Sequence, residues 1–236
     1  MGILQPYREG DEVCFANSRR ERIFGQPLPA REPGGWRVIS FFDQPELEAT
    51  LRAIIADEDG IDVFLGEEAT ALRDEGDHVA LDLRDLANDS TRTLRAGWLV
   101  GCDGASSFVR ETLGIPWTSL GYDQDWLVID VLIEPEATLP LATMQVCDPE
   151  RLTTYVCVKD PNRRWEFQLQ PGETREEMQR PETIERLLAS WVPADHYRLR
   201  RAAVYQFHAA TAERWREGRV LLAGDAAHQT LSLIHI

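Results

Sequence analysis

The sequence contains no CxxC pair, no Cys/His ligand spacing, no GxGxxG loop and no apolar run approaching a membrane span. The first two absences exclude a zinc or dithiol site. With no secretory signal peptide, Cys14, Cys102, Cys147 and Cys157 read as reduced cytosolic thiols acting as small buried hydrophobes. The missing glycine loop disfavours a plain dinucleotide-fold dehydrogenase. The missing apolar run excludes a transmembrane helix. Basic charge is scarce as well: 25 Lys+Arg against 40 Asp+Glu leave a net charge of −15, with no basic stripe. That argues against nucleic acid as the main partner, because phosphate recognition needs clustered cations. Repeats and low-complexity tracts are also absent. The reading is a soluble, cytoplasmic chain of one large domain or two small ones.

Two stretches carry most of the chemical information. Leu221–His228 (LLAGDAAH) reads as a buried strand that stops at Gly224, turns through Asp225 and starts a helix at two alanines. Glycine and alanine let backbone approach a ligand, and the carboxylate sits at a strand's carboxyl end, where open α/β sheets bind ligands. Such a carboxylate suits a sugar or ribityl hydroxyl. Asp103–Arg110 (DGASSFVR) follows the apolar run Trp98-Leu99-Val100 and precedes a helical pattern. Its loop can turn backbone N–H groups and a helix N-terminus toward an anion. Arg110 could reach a phosphate or pair with Asp103. A tight strand–helix turn with a surface arginine is the plain alternative for either stretch alone. Both in one chain, separated by a strand-rich segment, make coincidence a poor explanation.

Around these stretches the pattern alternates between helical and extended. Residues 1–36 read as surface loop with a short strand or two, and Trp36–Phe42 as a strand. Asp43-Gln44-Pro45-Glu46 is a helix start, with a capping Asp and a first-turn Pro. Leu47, Leu51, Ile54 and Ile55 then share one face of a helix ending near Asp59-Gly60. Ile61–Leu65 reads as a short buried strand. Ala69–Arg73 and His78–Arg84 form a hairpin about Glu75-Gly76-Asp77. Trp98–Val100 reads as a strand buried in a parallel sheet, and Phe108–Leu113 as a helix. Beyond Pro116 the candidates are strands at Trp126–Ile133, Thr143–Cys147, Thr153–Val158, Arg164–Gln170 and Leu199–Phe207. A helix at Pro181–Trp191 interrupts them, and Glu173–Glu177 reads as a solvated helix start. A mixed α/β part thus spans roughly 37–115, a strand-rich part 116–208, and an α/β return 219–230, as if the middle were inserted.

At the level of motifs the chain resembles a known family. Gly101–Arg110 is similar to the DG fingerprint of single-component FAD-dependent aromatic hydroxylases with the para-hydroxybenzoate hydroxylase fold. Gly218–His228 is similar to their GD fingerprint. Within that group the 3-(3-hydroxyphenyl)propionate hydroxylase branch resembles it most, through Gln44–Glu48, Asp125–Asp130, Arg164–Phe167, Pro171–Thr174 and Tyr205–His208. The resemblance implies an α/β and α+β fold: an incomplete Rossmann-like FAD/NAD(P) domain with an inserted, mainly antiparallel substrate domain. Residues 1–115 and 209–230 would be the FAD-binding parts and 116–208 the substrate-binding part.

The same resemblance implies roles and chemistry. Gly224 and Asp225 would hold the FAD ribityl or pyrophosphate region. Asp103, Gly104 and Arg110 would lie on the shared path of FAD and NAD(P)H, and Gln44 would bond the ribityl chain. FAD would be reduced by NAD(P)H and react with O2, and a phenolic aromatic acid would be hydroxylated beside its hydroxyl. The cofactor carries the oxidation; the protein supplies positioning, a dry pocket and help in deprotonating the phenol. No metal and no catalytic triad are expected, and a homodimer is left open. Tyr205 and His208 are substrate-pocket candidates, against the plainer reading of a packed tyrosine and a strand-end histidine. Trp126 or Trp165 could wall an aromatic pocket. A carboxylated substrate would need a local arginine, which the sequence does not single out. The family's GxGxxG unit is missing, and Leu231–Ile236 departs from its Pro-rich continuation, so the chain is expected to be a fragment with an anomalous tail. Alternatives are a related hydroxylase of a polyketide or other substrate, and a folded but inactive fragment.

Overall fold

The computed structural model describes residues 4–6, 12–28, 35 and 40–230. Trp36–Ile39 of the expected strand and the 231–236 tail lie outside the described residues. The chain opens with β1 (Leu4–Pro6), β2 (Glu12–Ala16), β3 (Arg22–Pro27) and β4 (Ser40–Phe42), then α1 (Gln44–Ala56). Next come β5 (Glu67–Asp74), β6 (Val79–Asp85), β7 (Thr91–Ala96), β8 (Leu99–Gly101) and α2 (Phe108–Thr112). The strand-rich stretch holds β9 (Trp117–Ile133), β10 (Thr143–Val146), β11 (Thr153–Val156), β12 (Asn162–Gln168), α3 (Arg175–Met178), α4 (Pro181–Leu188) and β13 (Tyr197–Ala212). It closes with β14 (Arg216–Glu217), β15 (Val220–Leu222) and β16 (His228–Gln229). Among the described residues no helix is long and apolar enough to cross a membrane.

Two compact units result, residues 1–59 with 124–206, and residues 60–123 with 207–236. Residues 1–59 thus cluster with 124–206. The cause is β2, which pairs in parallel with β10 from Thr143↔Val13 to Val146↔Ala16.

In the first unit, β12 pairs antiparallel with β9 and β11, and β11 with β10. Residues opposite one another share a sheet face. Met144, Tyr155, Trp165 and Ile129 make one such row, and Val146, Thr153, Phe167 and Leu127 the next. Against this apolar face pack Met178, Ile184, Leu188 and Val192 from α3, α4 and the turn that follows. Tyr155 stacks on Trp191 at 5.3 Å and meets Trp165 at 5.2 Å. Trp126 and Trp165 are buried core residues. Thr174 and Glu177 close a capping box on α3, while Glu173 is bound to Arg151 at 2.6 and 2.9 Å rather than merely solvated.

Helix α1 starts where the Asp-x-Pro pattern places it, with Asp43 accepting from the Glu46 N–H at 3.3 Å. It stops at Ala56, short of Asp59-Gly60. Asp57, Glu58 and Asp59 put negative charge at the helix's negative end, where it is disfavoured. None of its residues is buried, Leu51 and Ile54 included.

In the second unit β5, β6 and β7 form an antiparallel sheet, and β14, β15 and β8 a second one with β15 parallel to β8. Leu72, Val79, Val109, Ile115, Val220 and Leu222 make the core. Three expectations are corrected here. Ile61–Leu65 is not a buried strand: it pairs with no strand among the described residues, and Ile61, Val63, Phe64 and Leu65 are exposed. Trp98–Val100 does deliver a parallel strand, yet Trp98 and Val100 are exposed because only Leu99 packs against the core. Of the four cysteines only Cys14 and Cys157 are buried; Cys102 and Cys147 are exposed at strand ends, where the chain turns away from packing.

Candidate functional site

The two fingerprint stretches meet because their strands are neighbours. Val220, Leu221 and Leu222 oppose Leu99, Val100 and Gly101 in parallel, and the Ala223 N–H donates to Gly101 O at 2.9 Å. Both motifs therefore leave the carboxyl ends of adjacent parallel strands, the place where such sheets hold ligands. Asp103, Gly104, Arg110, Gly224 and Asp225 are thus gathered in one unit.

Within the Asp103–Arg110 loop the polar groups are turned inward on the loop itself. The Asp103 carboxylate accepts from Ser107 Oγ at 2.6 Å and from the Val109 N–H at 3.0 Å. Ser107, fully buried, in turn caps α2 by accepting from the Arg110 N–H at 2.9 Å. Arg110 does not pair with Asp103. Its guanidinium donates to Ala105 O and to Glu111 Oε1, both at 3.0 Å, and lies 4.5 Å over the Trp117 ring. It is 5% exposed, so it braces the loop from below rather than facing outward. Gly101 is the tightest point: a Cβ there would come 2.9 Å from Val109 Cβ, so only glycine lets α2 lie this close to β8. Gly104, at φ +80°, has open space where a side chain would sit.

The second motif differs from expectation in one respect and is open in another. No α-helix starts at Ala226. Gly224–Ala226 is a 3-10 turn, closed by the Ala227 N–H to Gly224 O at 2.9 Å, and the chain then pairs with β13 as β16. Pairing of His228 and Gln229 with Thr211 and Ala210 takes backbone groups that a helix would have needed. His228 stacks on Trp215 at 5.2 Å with the rings 7° apart, and Gln229 Nε2 donates to Ala105 O of the neighbouring loop at 3.4 Å. Asp225 is exposed, and its carboxylate has no hydrogen bond or ion pair among the described residues. Gly224, at φ +60°, again meets nothing where a Cβ would lie.

The remaining candidates divide between the units. His208 is in the same unit as both motifs, its Nδ1 2.5 Å from Asp123 Oδ1. Gln44 and Tyr205 belong to the other unit. Gln44 opens α1 and donates to Glu48 at 2.9 Å. The first turn of α1 is tied to the sheet by Arg200, bound to Asp43, and by Lys159, bound to Glu46 at 2.5 Å. The Arg200 guanidinium beside Asp43 holds that carboxyl below its ordinary range. Tyr205 accepts from Arg201 Nη1 at 2.7 Å. Arg164, Arg201 and Asp130 surround it as a charged cluster that sequence reading missed. The available signal was weak: Arg198, Arg200 and Arg201 fall together at the start of β13 in an otherwise acidic chain.

Asp225, exposed and without a partner among the described residues, thus lies in one unit with Gly104 and Gly224, both open where a side chain would sit, beyond the ends of two parallel strands. The donor set fits FAD in that respect, with Asp225 free to accept from hydroxyl groups and backbone open to close approach. Residues 16–232 match the FAD binding domain family, and the chain belongs to that family, on its aromatic-hydroxylase side. It is 37% identical over 211 residues to the 3-(3-hydroxy-phenyl)propionate/3-hydroxycinnamic acid hydroxylase of Klebsiella pneumoniae, covering 88% of this chain and 37% of that protein. The Escherichia coli enzyme of the same name is 35% identical over 208 residues, with the same coverage. The chain thus spans little more than a third of the curated relatives it matches. Among solved structures, aklavinone-11 hydroxylase with FAD and aklavinone superposes with a TM-score of 0.77 at 26% identity, over 97% of this chain and 46% of that one. The architecture is accordingly a Rossmann-like FAD-binding part with an inserted, largely antiparallel β-sheet.

Proposed function

We propose that this chain carries flavin-binding and substrate-recognising parts of an FAD-dependent monooxygenase that hydroxylates a phenolic aromatic acid, using NAD(P)H and O2. The observation that carries the reading is the unpartnered Asp225 carboxylate at the end of β15, beside the Asp103–Arg110 loop on β8. Asp225 would accept from ribityl hydroxyls. Gly104 and Gly224 would let backbone approach the cofactor. Asp103, Ser107 and Arg110 hold the loop that presents Gly104. Gln44, at the head of α1, would donate to the ribityl chain. When bound, FAD supplies hydride acceptance and oxygen activation. Tyr205 and His208 are the residues assigned to the substrate side, as hydrogen-bonding groups toward a phenol. Similarity to the phenylpropionate and hydroxycinnamate hydroxylases favours a carboxylated phenol. The aklavinone-11 hydroxylase likeness supports a second reading, a polyketide substrate. We also assign the protein to the cytoplasm, without nucleic-acid partners.

Equilibrium FAD binding, read by flavin fluorescence, tests the cofactor half. Asp225→Ala should weaken it roughly tenfold or more, the usual worth of one or two hydrogen bonds from a charged acceptor. Unchanged affinity would remove Asp225 from the site and the central support from the reading. Substrate-stimulated NAD(P)H oxidation, with phenolic acids against polyketide quinones, separates the two substrate readings.

A further inference from the structure

We propose that the cleft between α4 and the turn leading into β13 binds a small organic ammonium ion that carries an apolar group. The site lies wholly in the first unit, within residues 182–197, and needs no flavin. The local sequence builds it. Ile184 and Leu188 commit one face of α4 to the core, which turns Glu182, Glu185 and Arg186 away from it. Pro193 cannot continue a helix, so the chain reverses through the 3-10 turn Ala194–His196. Backbone bonds fix that reversal: the Val192 N–H donates to Leu188 O, the His196 N–H to Pro193 O and the Glu134 N–H to His196 O, each at 3.0 Å. The cleft enclosed has a volume of about 400 Å³, within the range of small-molecule sites. Ala189, Val192, Pro193 and Ala194 contribute no polar side-chain atom to its lining.

The polar groups of the cleft select a cation. Glu182 and Glu185 stand against one guanidinium, Arg186, and none of the three has a hydrogen bond or ion pair among the described residues. Arg186 also acts on Glu173, whose carboxyl is held below its ordinary range chiefly by Arg151. Negative charge is therefore in excess at the cleft. The carboxyl end of α4 adds to it, because the helix dipole places partial negative charge beside Ala189. Tyr197 supplies the neutral polar group. Its ring packs against the core, and its hydroxyl has no partner among the described residues. Burial, and then the Glu185 charge, push the phenol above its ordinary range, so it stays protonated at neutral pH. An ammonium group can donate to the Glu185 carboxylate in a short, charge-assisted bond and to the Tyr197 oxygen in a second. A metal ion fits less well. Among the described residues no three His, Cys, Asp or Glu side chains are grouped to hold one, and hard cations demand several oxygen ligands. The apolar lining takes a hydrocarbon or aromatic body instead.

The test is equilibrium binding to the full 236-residue chain, by calorimetry, of the 2-phenylethylammonium ion and of neutral 2-phenylethanol. The ammonium ion should bind roughly tenfold tighter than the alcohol, as a charge-assisted contact implies. Glu185→Gln should bring the two within about twofold, with alcohol binding unchanged as the sign that the cleft is intact. Tyr197→Phe should lose a smaller part of the preference. Glu176→Gln on α3, outside the cleft, removes the same charge from the chain and should leave the preference as it is, which separates a local contact from the field of a chain of net −15. Equal binding of ion and alcohol, binding of neither, a preference that survives Glu185→Gln, or an equal loss in Glu176→Gln would each overturn the site.

Discussion

At the scale of single residues, much of the second unit's site depends on contacts that spacing alone could not reveal. The sequence pointed to Asp103 and Asp225 alike as carboxylates at strand ends. Their difference lies in neighbours: Asp103 is consumed by Ser107 and the Val109 N–H, while Asp225 is left free. Arg110 was legible as a helix residue near the loop, but its burial beside Trp117 depends on a residue seven positions on, across a turn that sequence periodicity does not fix. Gly101 is the residue on which this packing turns. Gly101→Ala would set a methyl 2.9 Å from Val109 Cβ, so α2 must lift from β8. The expected cost is about 1–3 kcal/mol, the range for overpacking a tight contact. Urea unfolding checks it, and the double variant with Val109→Ala should recover part of the loss. A midpoint equal to the parent's would mean that α2 moves freely at that point.

Among elements, the hairpin β5–β6 was readable because Val79, Leu81 and Leu83 alternate about a Glu-Gly-Asp turn. Strand β7 was not, since Thr91–Ala96 offers one large apolar residue, Leu94, and pairs through threonines and arginines instead. Ile61–Leu65 failed for the opposite reason: apolar composition suggested burial, but a strand also needs a partner. The polar pairing across β5, β6 and β7 makes this sheet acid-sensitive. Asp82 accepts from Arg73 at 2.6 and 2.9 Å and from Thr93 Oγ1 at 2.7 Å. The Arg73 bonds, chiefly, bring its carboxyl from an ordinary 3.8 down to about 2. A carboxyl depressed in the folded state stabilises it above the unfolded value, and that contribution fades as pH falls through the folded one. The support should therefore be complete above pH 3.8 and lost progressively toward about 2. Asp82→Asn should flatten the acid limb of stability in that window. Hydrogen exchange of the 67–96 peptides, compared between parent and variant at successive pH values, would register it. Identical acid limbs would show that Asp82 contributes nothing to the sheet.

For the whole molecule, an antiparallel strand-rich stretch between α/β parts was legible in the sequence, whereas the pairing of β2 with β10 was not. Membership of β2 in the β10 sheet is a long-range parallel pairing, with no turn or local period to announce it. Charge acts at this scale too. An excess of fifteen acidic over basic groups repels itself across each unit, while the ion pairs that relieve it are mostly exposed, within 4 Å and individually weak. Salt screens these two contributions unequally. The screening length is about 30 Å at 0.01 M and about 8 Å at 0.15 M, so distant repulsions vanish while contact pairs persist. Raising NaCl from about 0.01 to about 0.15 M should therefore raise the thermal midpoint, with most of the gain complete before contact pairs are touched. Scanning calorimetry across that series distinguishes the two contributions by sign. A midpoint that falls with salt would mean that networks such as Arg164–Asp130–Arg201 and Arg200–Asp43 outweigh the net charge in holding the fold.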